Sequence, residues 1–137
     1  MVGECNKWDG RSNVEVTGIK TIPAFNETAL IDELNNGPVI ASLDAKSTIF
    51  VHYHTGILNS RLCKQSENNH WVLIVGYGSI GDSDYYLIRN SWGKEWGLVN
   101  QTFAEGASAG GYAYIARSGD DDGICGIQMH LEVPETN

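Results

Sequence analysis

The sequence predicts an α+β fold, an antiparallel, twisted sheet or half-barrel with one main helix, and three observations predict it. Residues 27–35 place Ala29, Leu30, Ile31 and Leu34 at helical spacing. After them the chain turns β-rich, in the segments VIASLDA, HYHTGIL, WVLIVGYG, DYYLIRNSW and GYAYIAR, each full of β-branched or aromatic residues and bounded by turn formers. No helical run separates these segments, which favours an antiparallel arrangement over βαβ units. At 137 residues the chain reads as one domain, 1–137, with a core of ordinary size.

The elements follow in order. Val14, Val16 and Ile19 alternate with polar residues, so a first strand is expected, ended by Pro23. Asn26 is placed to cap the helix and Gly37-Pro38 to stop it. Gly76-Tyr77-Gly78-Ser79-Ile80-Gly81 matches the dinucleotide-binding pattern, but Asp82-Ser83-Asp84 leads into the strand YYLIR rather than a helix. Without a helix N-terminus there is nowhere for a pyrophosphate to sit, so the segment reads as a hairpin turn. The stretch LVNQTFAEGASAG, 98–110, has no period and is expected as a surface loop. Asp120-Asp121-Asp122 before Gly123 reads as a solvated turn, not a cation site.

Composition narrows the function. The net charge is −8 and the nine Lys and Arg are scattered singly, which argues against nucleic acid as a partner. No apolar run approaches the ~18 residues that cross a bilayer, so no membrane partner is expected. The start, MVGECNKWDG, lacks the basic and apolar regions of a signal peptide, and none is expected within this chain. His52 and His54 stand two apart, on one face of the expected strand, without a third ligand nearby; no metal and no cofactor are expected. Cys5, Cys63 and Cys125 make an odd count, leaving one thiol without a partner in its own chain if a bridge forms. Asn26-Glu27-Thr28 and Asn100-Gln101-Thr102 match the N-glycosylation triplet, which is compatible with a secretory route.

Chemistry concentrates in two segments flanking the hairpin turn. The first is His70-Trp71-Val72-Leu73-Ile74-Val75-Gly76-Tyr77-Gly78 and the second is Leu87-Ile88-Arg89-Asn90-Ser91-Trp92-Gly93-Lys94-Glu95-Trp96-Gly97. A thiol nucleophile needs an adjacent base, and that imidazole must be held in one tautomer by a third group. A hairpin brings the start of one strand beside the end of the next, so His70 and Asn90 are expected within hydrogen-bonding reach. The pair of segments resembles the histidine and asparagine regions of the papain and cathepsin family of cysteine peptidases. The likeness extends over nearly the whole chain: NETALIDELNNGPVIASLDA resembles the family's helix and G-P-V strand, HYHTGIL its Y-x-x-G-[IV] segment, and GYAYIAR with GICGIQM its closing strands.

The resemblance implies the C-terminal, right-hand β-rich domain of such an enzyme, with the left helical domain absent. It makes His70 and Asn90 the catalytic pair, Trp92 the aromatic that shields their contact, and Cys63 and Cys125 a disulfide, with the partner of Cys5 in the other half. The nucleophile motif C-G-[SA]-C-[WY], which lies ~130 residues upstream of the histidine in the family, is not in the chain, nor is the oxyanion glutamine. Gly3-Glu4-Cys5-Asn6-Lys7 does not match that motif, so Cys5 is not read as a nucleophile. Trp71 occupies a wall of the main specificity pocket where the family has a small residue, and its indole is expected to fill that pocket. The stretch 98–110 replaces a link of about two residues in the family pattern. The functional expectation is a cysteine-type peptidase by family, supplying the His and Asn part of the site and inactive alone. It would act on peptide or protein substrate when a Cys-bearing left domain complements it, and self-associate otherwise. The alternative is a non-catalytic remnant or binding module of the same fold. By the same resemblance the expected location is lysosomal, vacuolar or secreted.

Overall fold

Strand β1, Val16–Ile22, ends at Pro23, and helix α1, Glu27–Leu34, follows it. The helix starts where its cap is: the Asn26 side chain accepts the Ala29 N–H at 3.0 Å, satisfying one of the donors that a helix start leaves open. The computed structural model describes residues 3, 4, 10 and 13–137. Beyond α1 the described elements are β2 (Val39–Leu43), α2 (Thr48–Val51), β3 (Ile57–Leu58), β4 (His70–Ile80), β5 (Ser83–Arg89), β6 (Gly97–Thr102), β7 (Ser108–Gly110), β8 (Tyr112–Ala116) and β9 (Leu131–Thr136).

Seven strands form one sheet in the order β1-β9-β2-β4-β5-β8-β3, and β6 pairs with β7 in a separate ribbon. The edges β1 and β3 do not pair with each other, so the sheet is open rather than a closed barrel. One face is the core: Val39, Ala41, Leu43, Val72, Ile74, Ile88, Ala113 and Ile115 are buried beneath Leu30 of α1 and Phe50 of α2. The opposite face, because side chains alternate along a strand, carries Ile40, Trp71 and Leu73. The β4–β5 hairpin closes at Ile80↔Ser83 through Gly81-Asp82, with Gly81 at φ +60°, a conformation glycine adopts without strain. The glycine-rich motif is therefore a hairpin turn.

Three segments differ from the sequence reading. HYHTGIL contributes only Ile57–Leu58 as strand, and it pairs parallel to β8, as Ile57↔Tyr114 and Leu58↔Ile115. Its first residues instead leave α2, a one-turn helix capped by Ser47, whose hydroxyl accepts the Ile49 N–H at 3.2 Å. The Tyr53 hydroxyl then donates to the Gly56 carbonyl at 2.6 Å and closes a turn, so His52 and His54 do not share a strand face. The expected loop at 98–110 is the β6–β7 ribbon, whose buried side chains include Leu98 and Ala109; a ribbon with so few inward residues shows no alternation. GICGIQM holds a 3-10 turn, Ile124–Gly126, and the closing strand is β9. The acidic turn is tied down: Asp121 accepts from Arg61, Ser118 and the Gly123 N–H, and Asp120 accepts the Glu27 N–H.

Cys63 and Cys125 are joined in a disulfide across 62 residues, with their Cα atoms 4.6 Å apart. It clamps the turn at 61–63 to the one at 124–126, and Arg61 pairs with Asp121 at 2.7 Å alongside. Cys5 lies outside the described residues. Closing a loop of this length stabilises the fold by about 4 kcal/mol in the chain-entropy estimate. Thiol titration of the unreduced, denatured chain is expected to find one reactive cysteine; three would show that the bridge does not form.

Candidate active site

His70 opens β4 opposite Leu43 of β2, and the Asn69 N–H donates to the Leu43 carbonyl at 3.0 Å. The connection that delivers it is organised by Asp44, a fully buried carboxylate. Asp44 accepts four donors: Lys46 N–H at 3.1 Å, Gln65 N–H at 2.9 Å, Ser66 N–H at 2.8 Å and the Asn69 side-chain amide at 3.0 Å. Asn69 returns the contact by accepting the Ala45 N–H at 3.0 Å. Burial alone would raise the Asp44 carboxyl, but the donors from Gln65, Lys46, Asn69 and Ser66 together outweigh it and hold it well below the ordinary carboxylate range. Sequence reasoning passed over Asp44, since a lone Asp at a strand end belongs to no motif.

Asn90 follows the last residue of β5 and is 8% exposed. Its backbone N–H donates to the Gly111 carbonyl at 2.9 Å, and its side-chain Oδ1 lies 2.8 Å from His70 Nε2. The same Oδ1 accepts the Ser91 N–H at 2.7 Å. This second contact settles which end of the carboxamide faces inward, because a backbone N–H can only donate and an NH2 group cannot receive it. With the oxygen fixed, Nε2 of a neutral His70 must carry the proton, and Nδ1 is left with the free lone pair. The Asn90 Nδ2 is buried and has no partner among the described residues.

Trp92 lies over the pair, its ring centroid 5.0 Å from that of His70 and 31° from coplanar. It is 41% exposed, so it is a lid with one wet face. Beneath it Phe50 of α2 meets Trp92 edge-on at 5.5 Å, and Trp96 packs on Phe50 at 5.0 Å and on Tyr53 at 5.8 Å. The Trp96 indole N–H donates to the carbonyls of Phe50 and Val51 at 3.2 and 3.1 Å, which fastens this aromatic layer to the end of α2.

Trp71 points to the other face of β4 and is 51% exposed. It stands at the side of an open pocket of about 370 Å³ lined by Ile40, Trp71, Val72, Leu73, Arg89, Asn90 and Ser91. The Arg89 guanidinium lies 5.9 Å from the Tyr112 ring centroid. Of the residues singled out by the sequence, the fold thus brings His70, Asn90 and Trp92 into contact and sets Trp71 behind them. Cys63 and Cys125 are joined to each other, and His52 and His54 are exposed at the end of α2 and in the turn after it.

The family model for papain family cysteine proteases matches residues 2–134. The chain belongs to the papain family. This papain-family chain is 33% identical to cysteine proteinase 3 of Dictyostelium discoideum and 36% identical to a KDEL-tailed cysteine endopeptidase of Arabidopsis thaliana, each match covering 96% of the chain. It covers 35% and 34% of those proteins, so it spans about a third of the length of these relatives. Its fold superposes on digestive procathepsin L2 of Tenebrio molitor with a TM-score of 0.76 at 32% identity, over 96% of this chain and 38% of that one. Against bromelain of Ananas comosus, solved with the inhibitor E64, the TM-score is 0.72 at 29% identity, over 87% of this chain and 50% of that one. The papain-like right-hand architecture is thus shared, and the Cys63–Cys125 bridge stands where the resemblance placed it.

The Asp44 cluster makes a pH prediction. Replacing Asp44 by Asn turns an NH2 group toward N–H donors and is expected to cost on the order of 3 kcal/mol at neutral pH. The folded carboxyl titrates below its ordinary value, so its contribution is complete above about pH 4 and is lost as pH falls toward the folded value. Urea unfolding should therefore show the gap between the native chain and D44N shrinking by about 1 kcal/mol from pH 6 to pH 3. A gap that stays constant over that range would contradict the assignment.

Proposed function

We propose that residues 1–137 form the base-carrying half of a papain-type cysteine peptidase, with the thiol nucleophile supplied by a polypeptide segment outside these residues. His70 is the general base and Asn90 the group that orients it. The single observation that carries this reading is the 2.8 Å contact between His70 Nε2 and Asn90 Oδ1, with the Ser91 N–H fixing the oxygen. It leaves Nδ1 able to take a proton from a thiol. The thiolate then attacks a peptide carbonyl, and the imidazolium returns the proton to the leaving amine. Trp92 excludes water from the pair, which strengthens the contact. Trp71 is a wall of the substrate side-chain pocket.

The apolar row of exposed Trp71 and Leu73 with half-buried Ile40 supports a second part of the reading, in which this sheet face receives the half of the enzyme that brings the cysteine. Without that half the chain is expected to self-associate through the same face. A secretory or lysosomal route is supported by the disulfide, since such bridges persist in oxidising compartments. It is supported also by the KDEL tail in the name of the Arabidopsis relative.

By itself the chain has a base with no thiol of the family motif to activate and no oxyanion donors from the cysteine segment, each worth about 3 kcal/mol in the transition state. Assayed alone against fluorogenic peptides under reducing conditions, it should show no turnover. Mixed with a helical half bearing the cysteine, it should show turnover that a thiol inhibitor blocks. His70→Ala should lower that turnover by about 10²–10⁴-fold. Activity of the chain alone, or a complex that forms and stays inactive, would sink the proposal; the second outcome would favour a binding module.

A further inference from the structure

The two N-glycosylation triplets sit in different surroundings, and the difference separates them. Asn26 caps α1 through Ala29, and the carboxylate of the middle residue, Glu27, is held by Arg117 at 3.0 and 2.7 Å and by the Gly119 N–H at 2.8 Å. The Glu27 N–H in turn donates to Asp120 at 2.9 Å. That triplet is clamped between the helix and the 117–120 loop. Asn26 and Thr28 are exposed as well, so the difference lies in that clamp: Asn100, Gln101 and Thr102 occupy the outer part of β6, where all three are exposed.

The ribbon is rooted rather than loose. A Cβ on Gly97 would lie 2.2 Å from the Tyr112 carbonyl oxygen, and one on Gly110 would lie 2.2 Å from that of Lys94, so both strands leave the domain through a gap only glycine fits. Leu98 and Ala109 hold its base in the core and Phe103 packs edge-on against Tyr112 at 5.1 Å near its tip. Between these anchors the Asn100 triplet makes one side-chain hydrogen bond among the described residues, Gln101 Nε2 to Thr55 Oγ1 at 3.4 Å. A bulky substituent there displaces no core contact. It also covers part of a two-stranded edge, next to the exposed Val99, that would otherwise offer open backbone groups to another chain.

We propose that Asn100 is an N-glycosylation site and that Asn26 is not. The claim rests on the secretory route proposed above. The Asn100 carboxamide nitrogen forms a bond to the anomeric carbon of an oligosaccharide carried by a lipid pyrophosphate, the carbon–oxygen bond to that pyrophosphate breaks, and the nitrogen gives up one proton. The donor is a lipid-linked oligosaccharide of the secretory compartment.

The test is to express residues 1–137 behind a cleavable secretory leader in eukaryotic cells and to measure mass before and after removal of N-glycans by amidase. The leader provides the route, and oxidation of Cys63 to Cys125 reports the compartment, so a missing glycan counts against Asn100 and not against the route. One glycan is expected, lost in Asn100→Gln and in Thr102→Ala, and kept in Thr102→Ser and Asn26→Gln. An oxidised chain without a glycan, or a shift that survives Asn100→Gln, would overturn the proposal.

Discussion

A single backbone N–H, that of Ser91, decides the orientation of the Asn90 carboxamide, and the chemistry available to His70 follows from it. Because Asn90 Oδ1 receives both Ser91 N–H and His70 Nε2, the imidazole is restricted to one tautomer in its neutral form. The Asn90 backbone is itself held by the Gly111 carbonyl, and Gly111 donates its N–H to the Trp96 carbonyl at 2.6 Å. The same short path therefore links the Asn90 amide, the root of the β6–β7 ribbon and the aromatic layer. The Asn90 Nδ2 on the other end of the amide is buried without a partner among the described residues.

Two supports converge on this contact from opposite sides. The Asp44 cluster fixes the loop that precedes His70, through donors drawn from residues 46 to 69. On the other side Trp92, Trp96 and Phe50 form an aromatic layer tied by the Trp96 indole N–H to the end of α2. The one-turn helix that leads into the HYHTGIL segment is therefore part of what holds Trp92 over His70. The disulfide and the Arg61–Asp121 pair act further out, holding the 61–63 and 124–126 turns together, and the Asp44 N–H donates to the Cys125 carbonyl at 2.8 Å.

How much of this was legible in the sequence depends on how local its cause is. The α1 helix was legible because cap, period and stop coincide within twelve residues, from Asn26 to Gly37. The β4–β5 hairpin was legible because Gly81 sits between two apolar runs, and with it the proximity of His70 and Asn90. The α2 turn was not, since Thr48, Ile49 and Val51 are β-branched and a single turn has too few residues to show a period. The ribbon was missed because its few buried side chains leave no alternation, and its position is set by glycines whose purpose appears only when Tyr112 and Lys94 are packed beside them. Asp44 was invisible for a related reason: two of its four donors are backbone groups more than twenty residues away, and no residue type marks them.

Membership of the papain family and the geometry of the pair support the same account. Its central claim, that Asn90 imposes one tautomer on His70, is open to nitrogen-15 NMR of the imidazole at a pH where the ring is neutral. The account predicts a protonated Nε2 and an unprotonated Nδ1 in the native chain, and a mixture of tautomers in Asn90→Ala. A native ring protonated at Nδ1, or one indifferent to loss of the Asn90 amide, would contradict it.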